Sequence, residues 1–221
     1  SYESNIVPVK SILEYIRKSK KKSKFLFAAS SEMYGYNKKK ISEKSPTNAY
    51  SPYGLSKIAC FEFIKSYRMM FNLPVFSIIF FNHESPLRRE NYVFKKIIKG
   101  AKNIKDGKQK KIILGNINVK RDWGWGPEFM NVVYKVMKKK EINDYVLATG
   151  KTSSLKDVIN LAFKIHKLNW KKHVSFNKKN FRKNEIPENY ADISLIKKKI
   201  NWKPKFKLKE IIHRMSNSNI L

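Results

Sequence analysis

Four residues in two short segments could together carry out proton transfer. Tyr53 and Lys57, in 51-SPYGLSK-57, are four positions apart, a spacing that places both on one face of a helix. A nearby ammonium group lowers the pKa of a phenol, and a tyrosine tuned in this way can act as a general base toward a sugar hydroxyl. Ser30 and Glu32, at the end of an apolar run upstream, add a hydroxyl donor and a second acid or base. In this order the two segments predict redox-assisted sugar chemistry.

The hydrophobic pattern predicts strands and a helix that would position these residues. Two short, continuous apolar runs, 25–30 and 75–81, are typical of parallel strands buried on both faces. A helix from about 51 to 71 lies between them, which is the order of a βαβ unit in a doubly wound sheet. Because ligands bind at the carboxyl ends of such strands, we expect the site to include the segments 30–32 and 82–86.

Further elements are expected along the rest of the chain. Residues 6–19 are predicted to form an amphipathic helix, and Ser153 or Ser154 is a plausible N-cap of a later one. The apolar side of the first helix should carry Ile6, Val9, Ile12, Leu13 and Ile16. The pattern also predicts helices at 91–105, 127–140, 154–168, 194–200 and 207–216, strands at 111–115 and 144–150, and loops at 36–49 and 180–194.

Length and cysteine content limit the class of protein. The 221 residues fit one domain with room for a small second lobe. The single cysteine, Cys60, lies in an apolar helical stretch, which predicts a buried structural thiol and a reducing compartment. No apolar run approaches the roughly 18 residues of a membrane span, and the N-terminus has no signal-peptide core, so a cytoplasmic location without membrane association is predicted. The four dispersed histidines provide no metal-ligand spacing.

The net charge is extreme. With 48 Lys and Arg against 17 Asp and Glu, the formal charge is +31, and such a charge favours nucleic-acid binding. A nucleic-acid surface, however, needs clustered basic residues with aromatic stacking positions, whereas lysine is dispersed here, as in 17-RKSKKKSK-24 and 171-KKHVSFNKK-179. Solvated turns and helix faces of a lysine-biased proteome explain the pattern. A basic nucleic-acid-binding protein stays the alternative from a different class, and a steep salt dependence of DNA affinity would favour it.

One motif of dinucleotide-binding domains is missing. Such domains normally begin with a strand and a Gly-rich turn that places the pyrophosphate at a helix N-terminus. The chain has eight glycines and contains neither G-x-G-x-x-G nor G-x-x-G-x-x-G. We therefore expect the chain to open partway into an α/β domain.

Taken in order, the motifs resemble the extended short-chain dehydrogenase/reductases, and within them the GDP-mannose 4,6-dehydratase family. The resemblance covers almost the whole chain, from about Ser1 to near Met215. It implies an N-terminally truncated chain, since members carry the Gly-rich turn in a preceding region. The segments that carry it are 30-SSEMYG-35, 51-SPYGLSK-57, 81-FNHESP-86, 114-LGNINVKRDWG-124, 146-VLATG-150, 182-RKNEIPENYAD-192 and 200-INWKPK-205.

The resemblance implies a reaction that converts GDP-mannose to GDP-4-keto-6-deoxymannose. Tyr53, with Lys57 beside it, would take the proton of the C4 hydroxyl while a hydride passes to NADP⁺. Ser30 would hydrogen-bond the same oxygen, and Glu32 would remove the C5 proton and help to expel the C6 hydroxyl as water. The hydride would then return to C6. A related nucleotide-sugar reductase or epimerase is the alternative within the fold; Glu32 argues against it, since epimerases usually have a small residue there.

The resemblance also implies binding residues and an assembly of two or four identical subunits. Arginine suits a diphosphate because its fork offers bidentate donors, and a glutamate can accept from ribose hydroxyls. The implied NADP contacts are Tyr53, Lys57, His83 and Arg88; the implied substrate contacts are Asn82, Glu84, Lys96, Arg121, Arg182 and Glu185, of which the last three would hold the GDP part.

Two regions are expected on this basis. Residues 1–86 would be the remainder of an NADP-binding Rossmann domain, the C-terminal part of a doubly wound parallel sheet. Residues 87–221 would mostly form a small α/β lobe that binds the nucleotide sugar, with a strand near 144–150 returning to the sheet.

The sequence departs from the family pattern at several positions. Ser30 replaces a threonine, Leu87 and Arg89 stand where the family tends to have Arg and Gly, Trp125 begins a run that replaces a His-Ala-Lys-like one, and Lys183 replaces a proline. Local contacts with cofactor and substrate are therefore expected to differ. An inactive fragment is a further alternative, because strands without their sheet neighbours expose apolar surface that invites aggregation.

Overall fold

A computed structural model describes residues 2–20, 23–181 and 184–218. Within these residues the predicted helices and the four predicted strands occur in the predicted order, together with five short strands that the hydrophobic pattern did not indicate. The strands are β1 (Phe25–Ser30), β2 (Val75–Phe80), β3 (Asn82–Glu84), β4 (Ile112–Leu114), β5 (Lys120–Arg121), β6 (Trp123–Trp125), β7 (Tyr145–Leu147), β8 (Ser153–Ser154) and β9 (Val174–Phe176).

The helices agree with the predicted ones to within a few residues at each end. A π-helical turn at Tyr2–Ile6 leads into the first, and Ser154 caps α5 in a capping box with Asp157. They are α1 (Val7–Lys18), α2 (Pro52–Phe71), α3 (Val93–Lys105), α4 (Gly126–Lys138), α5 (Leu155–Ile165), α6 (Ser194–Ile200) and α7 (Leu208–Ser216).

A parallel sheet with strand order β1-β2-β7 forms the centre of the fold. β1 pairs with β2 along its whole length, from Phe25 opposite Val75 to Ser30 opposite Phe80. β7 pairs with β2 on the other side. The central strand β2 is buried from Val75 to Ile79, as continuous apolar runs of parallel strands should be. With helices between its strands, this is a Rossmann-type α/β fold.

The long helix α2 begins and ends at residues suited to those positions. The hydroxyl oxygen of Ser51 accepts a hydrogen bond from the backbone N–H of Gly54 at 3.0 Å, and Pro52 occupies the first turn, where its missing N–H costs nothing. The helix ends at Asn72, whose φ of 49° is left-handed. Cys60 is fully buried in its middle, as predicted.

Smaller two-stranded sheets lie outside the central one. β3 pairs with β6 and β4 with β9, both in parallel, and β5 pairs with β8 antiparallel. β9 lies within the lysine-rich run 171–179, which the sequence analysis interpreted only as a solvated segment. The strand was missed because its three residues are flanked by lysines.

In α1 the prediction for Ile12 was wrong. The side chain is 39% exposed, because the buried stripe follows Val9, Leu13 and Ile16.

Two hydrophobic cores hold these elements together. The first surrounds the central sheet and receives side chains from α1, α2, α4 and α6. The second joins α3, α5 and α7 with β4, β6 and β9.

The division of the chain into two regions at residue 86 stays a prediction. Among the helices of the described ranges, none combines the length and apolar character needed to cross a lipid bilayer.

Candidate active site

The carboxyl end of β1 places Ser30 and Glu32 side by side. Ser30 keeps the extended backbone of the strand, and its hydroxyl oxygen accepts a hydrogen bond from the backbone N–H of Glu32 at 3.3 Å. A 3₁₀ turn, Ser31–Tyr34, then carries the half-buried Glu32 past the end of the sheet. The phenol of Tyr53 lies near enough to this hydroxyl for Ser30 to act on its pKa. The structure therefore brings together the two segments that the sequence singled out.

A glycine allows the first turn of α2 to approach this strand end. A Cβ atom at Gly54 would lie 2.7 Å from the carbonyl oxygen of Glu32 and 2.8 Å from the Cβ of Ala49. Atoms cannot pack that closely, so any other residue here would push the helix away. The glycine next to Tyr53 is what lets the phenol reach Ser30.

The electrostatics of Tyr53 differ from the prediction. Partial burial raises the pKa of Tyr53, and the hydrogen bond from Ser30 and the charge of Arg88 oppose this rise. Lys57 was expected to lower the pKa; instead its ammonium group donates to the carbonyl oxygen of Ala28 at 3.0 Å and lies 5.6 Å from the ring centroid of Tyr53. Burial also lowers the pKa of Lys57. Spacing on a helix thus placed the two side chains correctly, but it could not show where the ammonium points.

The strand β3 follows the end of β2 and carries Asn82, His83 and Glu84. The Nδ1 atom of His83 lies 3.0 Å from the carbonyl oxygen of Phe81, and its ring packs against Phe80 and Phe129. Burial lowers the pKa of His83, so the imidazole is neutral at pH 7. Asn82 is half-buried at the strand start.

Glu84 and Arg88 form a buried ion pair beside the site. Glu84 is 2% exposed, and its Oε2 lies 3.4 Å from Nε of Arg88. The guanidinium carbon of Arg88 is 3.8 Å from the ring centroid of Tyr92. Within the described residues, neither Oε2 of Glu84 nor Nε of Arg88 makes a hydrogen bond. Burial raises the pKa of Glu84 to about 7 although the charge of Arg88 opposes the shift.

The two lysines at the start of α3 have different positions. Lys96 donates from Nζ to the carbonyl oxygen of Ile113 in β4 at 2.8 Å. Its neighbour Lys95 is 2% exposed and donates to the carbonyl oxygen of Pro86 at 2.6 Å, which ties down the loop that holds Arg88. Sequence reasoning missed Lys95; its position one turn before the apolar Ile98 was the available signal.

Arg121 and Glu185 also come together, from positions far apart in the chain. An Nη atom of Arg121 lies 3.1 Å from Oε1 of Glu185, and Arg121 is 8% exposed at the junction of β5 and β8. Arg182, the third residue expected to contact GDP, lies outside the described residues. The substrate roles of these residues stay predictions.

Asp122 is a buried residue that the sequence analysis overlooked. It is fully buried and accepts four hydrogen bonds, from the hydroxyl and the backbone N–H of Thr149 and from the backbone N–H groups of Gly150 and Lys151. Burial raises its pKa to about 6 despite these bonds. Its carboxylate holds the loop after β7 against β5 and β6. Among the described residues no group of three or more His, Cys, Asp or Glu side chains is placed to bind a metal ion.

The arrangement of these residues on the sheet defines a class of fold, and a solved structure of similar fold supports the assignment. A Rossmann-type sheet with Ser30, Glu32, Tyr53 and Lys57 at its carboxyl edge is the arrangement of an extended short-chain dehydrogenase/reductase fold. The structure is similar to a crystal structure of dTDP-glucose 4,6-dehydratase from Bacillus anthracis in complex with NAD, with a TM-score of 0.87 and 18% identity over 97% of this chain and 67% of that one.

Sequence comparison shows the family. The model of the GDP-mannose 4,6 dehydratase family matches residues 1–215, and the chain belongs to this family. It is 36% identical over 197 residues to GDP-mannose 4,6 dehydratase 1 of Arabidopsis thaliana, covering 89% of this chain and 55% of the relative. It is 30% identical over 217 residues to the human GDP-mannose 4,6 dehydratase, covering 89% of this chain and 58% of the relative. The chain thus spans a little over half the length of these relatives.

Proposed function

We propose that the protein to which this chain belongs is an NADP-dependent dehydratase that converts GDP-mannose to GDP-4-keto-6-deoxymannose. The observation that carries the proposal is the meeting of Ser30, Glu32 and Tyr53 at the carboxyl edge of the sheet. A hydroxyl donor, a phenol and a carboxylate within one small region suit an alcohol oxidation followed by an elimination. Family membership supports the same reaction.

The residues expected to contact NADP fit a negatively charged dinucleotide. Arg88 has a buried Nε with no hydrogen bond among the described residues, and its guanidinium is held by Glu84 and Tyr92. Such a fixed cation can donate to an anionic group. When bound, NADP would supply reversible hydride acceptance. Tyr53, Lys57, His83 and Arg88 are the residues of this chain that would hold it.

Proton transfer would be shared between two groups. Tyr53 would accept the proton of the C4 hydroxyl, with the hydroxyl of Ser30 hydrogen-bonding the same oxygen. Glu32 would remove the proton at C5, which a neighbouring ketone acidifies, and assist the loss of the C6 hydroxyl. Because burial raises the pKa of Tyr53, positive charge beside the phenol is needed for this role at neutral pH, and Arg88 supplies part of it.

The GDP part of the substrate would bind near β5. Arg121 donates to Glu185 and to the carbonyl oxygen of Lys120, and these contacts fix the orientation of its guanidinium, a group suited to a diphosphate. Asn82, Glu84 and Lys96 would complete the substrate side with Arg182. We include in the proposal that the protein forms a homo-oligomer, which light scattering on the purified chain would test.

The test is calorimetric titration of the purified chain with GDP-mannose and with NADP⁺ at moderate salt, followed by mass spectrometry of a mixture of both. We expect GDP-mannose to bind and, where both ligands bind, a product that has lost one water. Glu32→Gln should keep binding and abolish water loss, whereas Glu62→Gln, on the exposed side of α2, should retain both. Binding of neither ligand, or equal water loss by Glu32→Gln, would contradict the proposal.

A further inference from the structure

A cavity lies at the opposite edge of the central sheet from Tyr53. Its volume is about 400 Å³, and it is lined by the loop after β7, by α6 and by the extended segment that precedes α7. In the strand order β1-β2-β7, Tyr53 stands beside β1 and this cavity beside β7. A cavity of this size is in the range that holds a small ligand.

Lysines from three separate segments converge on this cavity. Five of its eleven lining residues are lysines and none is acidic, whereas Lys and Arg together make up 48 of the 221 residues of the chain. Burial alternates along 202–207, so that Lys203, Lys205 and Lys207 share the exposed side. Lys151 and Lys197 face them from the loop after β7 and from α6.

The ammonium groups of these five lysines make no close polar contact within the described residues. Within the described ranges, none of them makes a hydrogen bond or an ion pair with another side chain or carbonyl group, in contrast to Lys95, Lys96 and Lys120. Like charges gathered in this way repel one another. The arrangement becomes favourable when an anion enters.

The nearby carboxylates are committed elsewhere. Both oxygens of Asp122 accept from the backbone of residues 149–151. Oε1 of Glu128 accepts from the backbone N–H of Lys205 at 2.8 Å, which fixes the lysine-bearing segment without neutralising it. Asp192 accepts from the backbone and side chain of Ser194, and these bonds, together with the charges of Lys40 and Lys197, lower its pKa. These three acids therefore hold the frame of the cavity, and among the described residues none of them forms a close ion pair with its lysines.

We propose that this cavity, which adjoins β5 through the pairing of Ser153 with Arg121, is a binding site for a small anion that carries two or more phosphate groups and binds in addition to the substrate. Lysine is a compact donor of three hydrogen bonds and suits the spread negative charge of a di- or triphosphate. Because these lysines belong to three segments, they line the cavity from more than one side, unlike the lysines of a flat basic surface. The half-buried Phe206 in the lining adds an apolar wall on which a nucleoside could rest.

The experiment is calorimetric titration of the full chain with inorganic pyrophosphate and, separately, with adenosine diphosphate. A salt concentration of about 0.15 M screens the exposed charges. The test variant is Lys151→Gln/Lys203→Gln/Lys205→Gln. The control, Lys10→Gln/Lys135→Gln/Lys164→Gln, removes the same charge from exposed positions of α1, α4 and α5. We expect the test variant to bind pyrophosphate at least about tenfold more weakly and the control to bind as the wild type does, because only the test variant loses three charge-assisted hydrogen-bond donors to the anion.

Three outcomes would overturn the proposal. Equal weakening in both triple variants would mean that the +31 charge attracts anions without a site. Loss of pyrophosphate binding in Arg121→Gln, with no loss in the test variant, would place the anion at the proposed GDP position. No binding by the wild type would exclude the site directly, and none of these outcomes depends on the dehydratase reaction. Tighter binding of adenosine diphosphate than of pyrophosphate, lost in the test variant, would identify the ligand as a nucleotide.

Discussion

Oε2 of Glu84 lies 3.4 Å from Nε of Arg88, and both of these atoms are buried, although the Arg88 side chain as a whole is 26% exposed. Stacking on Tyr92 fixes the other side of the guanidinium, at 3.8 Å from the ring centroid. The loop that follows β3 therefore presents Arg88 in a prepared orientation. This pair links the short strand to the electrostatics of Tyr53, because the charge of Arg88 lowers the pKa of that phenol.

Glu84 should make the stability of the chain depend on pH. Its folded-state pKa is about 7, above the ordinary value of 4.5. Between pH 4.5 and pH 7 the folded state therefore holds a proton that the unfolded state has released. Wild-type stability should therefore fall as pH rises from 4.5 to 7, by on the order of 2–3 kcal/mol. Glu84→Gln removes this dependence. Urea denaturation should show that the stability of the variant relative to the wild type is greater at pH 8 than at pH 5.

A matched control for this measurement is Glu90→Gln. Glu90 is exposed, and its pairing with Lys99 lowers its pKa, so the carboxylate is ionised in both states across the same pH range. Its difference from the wild type should be constant between pH 5 and pH 8. A constant difference for Glu84→Gln as well would show that the buried carboxyl group titrates normally.

Gly54→Ala should destabilise the chain and disturb the site. The added Cβ would meet the carbonyl oxygen of Glu32 at 2.7 Å, and relief of such overpacking typically costs about 1–3 kcal/mol, more than the helix propensity that alanine adds. Urea denaturation measures the loss. Glu62→Ala, on the exposed side of the same helix, should change stability by less than about 0.5 kcal/mol. Equal effects would mean that α2 does not need its close contact with the turn after β1.

Asp122→Asn should loosen the loop after β7. An amide has only one acceptor oxygen, and its other side carries an NH₂ group. At least one of the donors that now bond to Asp122, from Thr149, Gly150 or Lys151, would therefore face an NH₂ group. Unsatisfied buried donors cost about 1–3 kcal/mol each, and hydrogen exchange at residues 149–151 should accelerate. Asp106→Asn, at an exposed position after α3, should leave exchange in that loop unchanged. Normal protection in Asp122→Asn would show that the loop is held by other contacts.

Arg121→Lys should weaken the binding of GDP-mannose. A lysine keeps the charge but cannot offer two parallel donors to a diphosphate or keep the contact with Glu185 at the same time. Calorimetry should show a dissociation constant about tenfold higher or more, which corresponds to about 1.4 kcal/mol. Arg214→Lys, on the exposed side of α7, is the matched control and should bind as the wild type does. Unchanged affinity in Arg121→Lys would remove Arg121 from the substrate site.

The sequence by itself determined the order of the main helices and strands and the family. Continuous apolar runs, a 3.6-residue periodicity and a cap at Ser153 or Ser154 are local signals, so they needed no knowledge of the folded chain. The motifs around Ser30 and Tyr53 likewise predicted that these two segments would contribute to one site. The family resemblance that they carried was confirmed.

Only the tertiary structure decided how these side chains are used. Lys57 points to the carbonyl oxygen of Ala28 instead of the phenol, and the pairing of Glu84 with Arg88 and the four bonds to Asp122 depend on how neighbouring segments pack. Strands of two or three residues, such as β5 and β9, form because a partner from far along the chain supplies their hydrogen bonds. Burial, orientation and long-range pairing are properties of the packed chain, and local spacing carries no information about them.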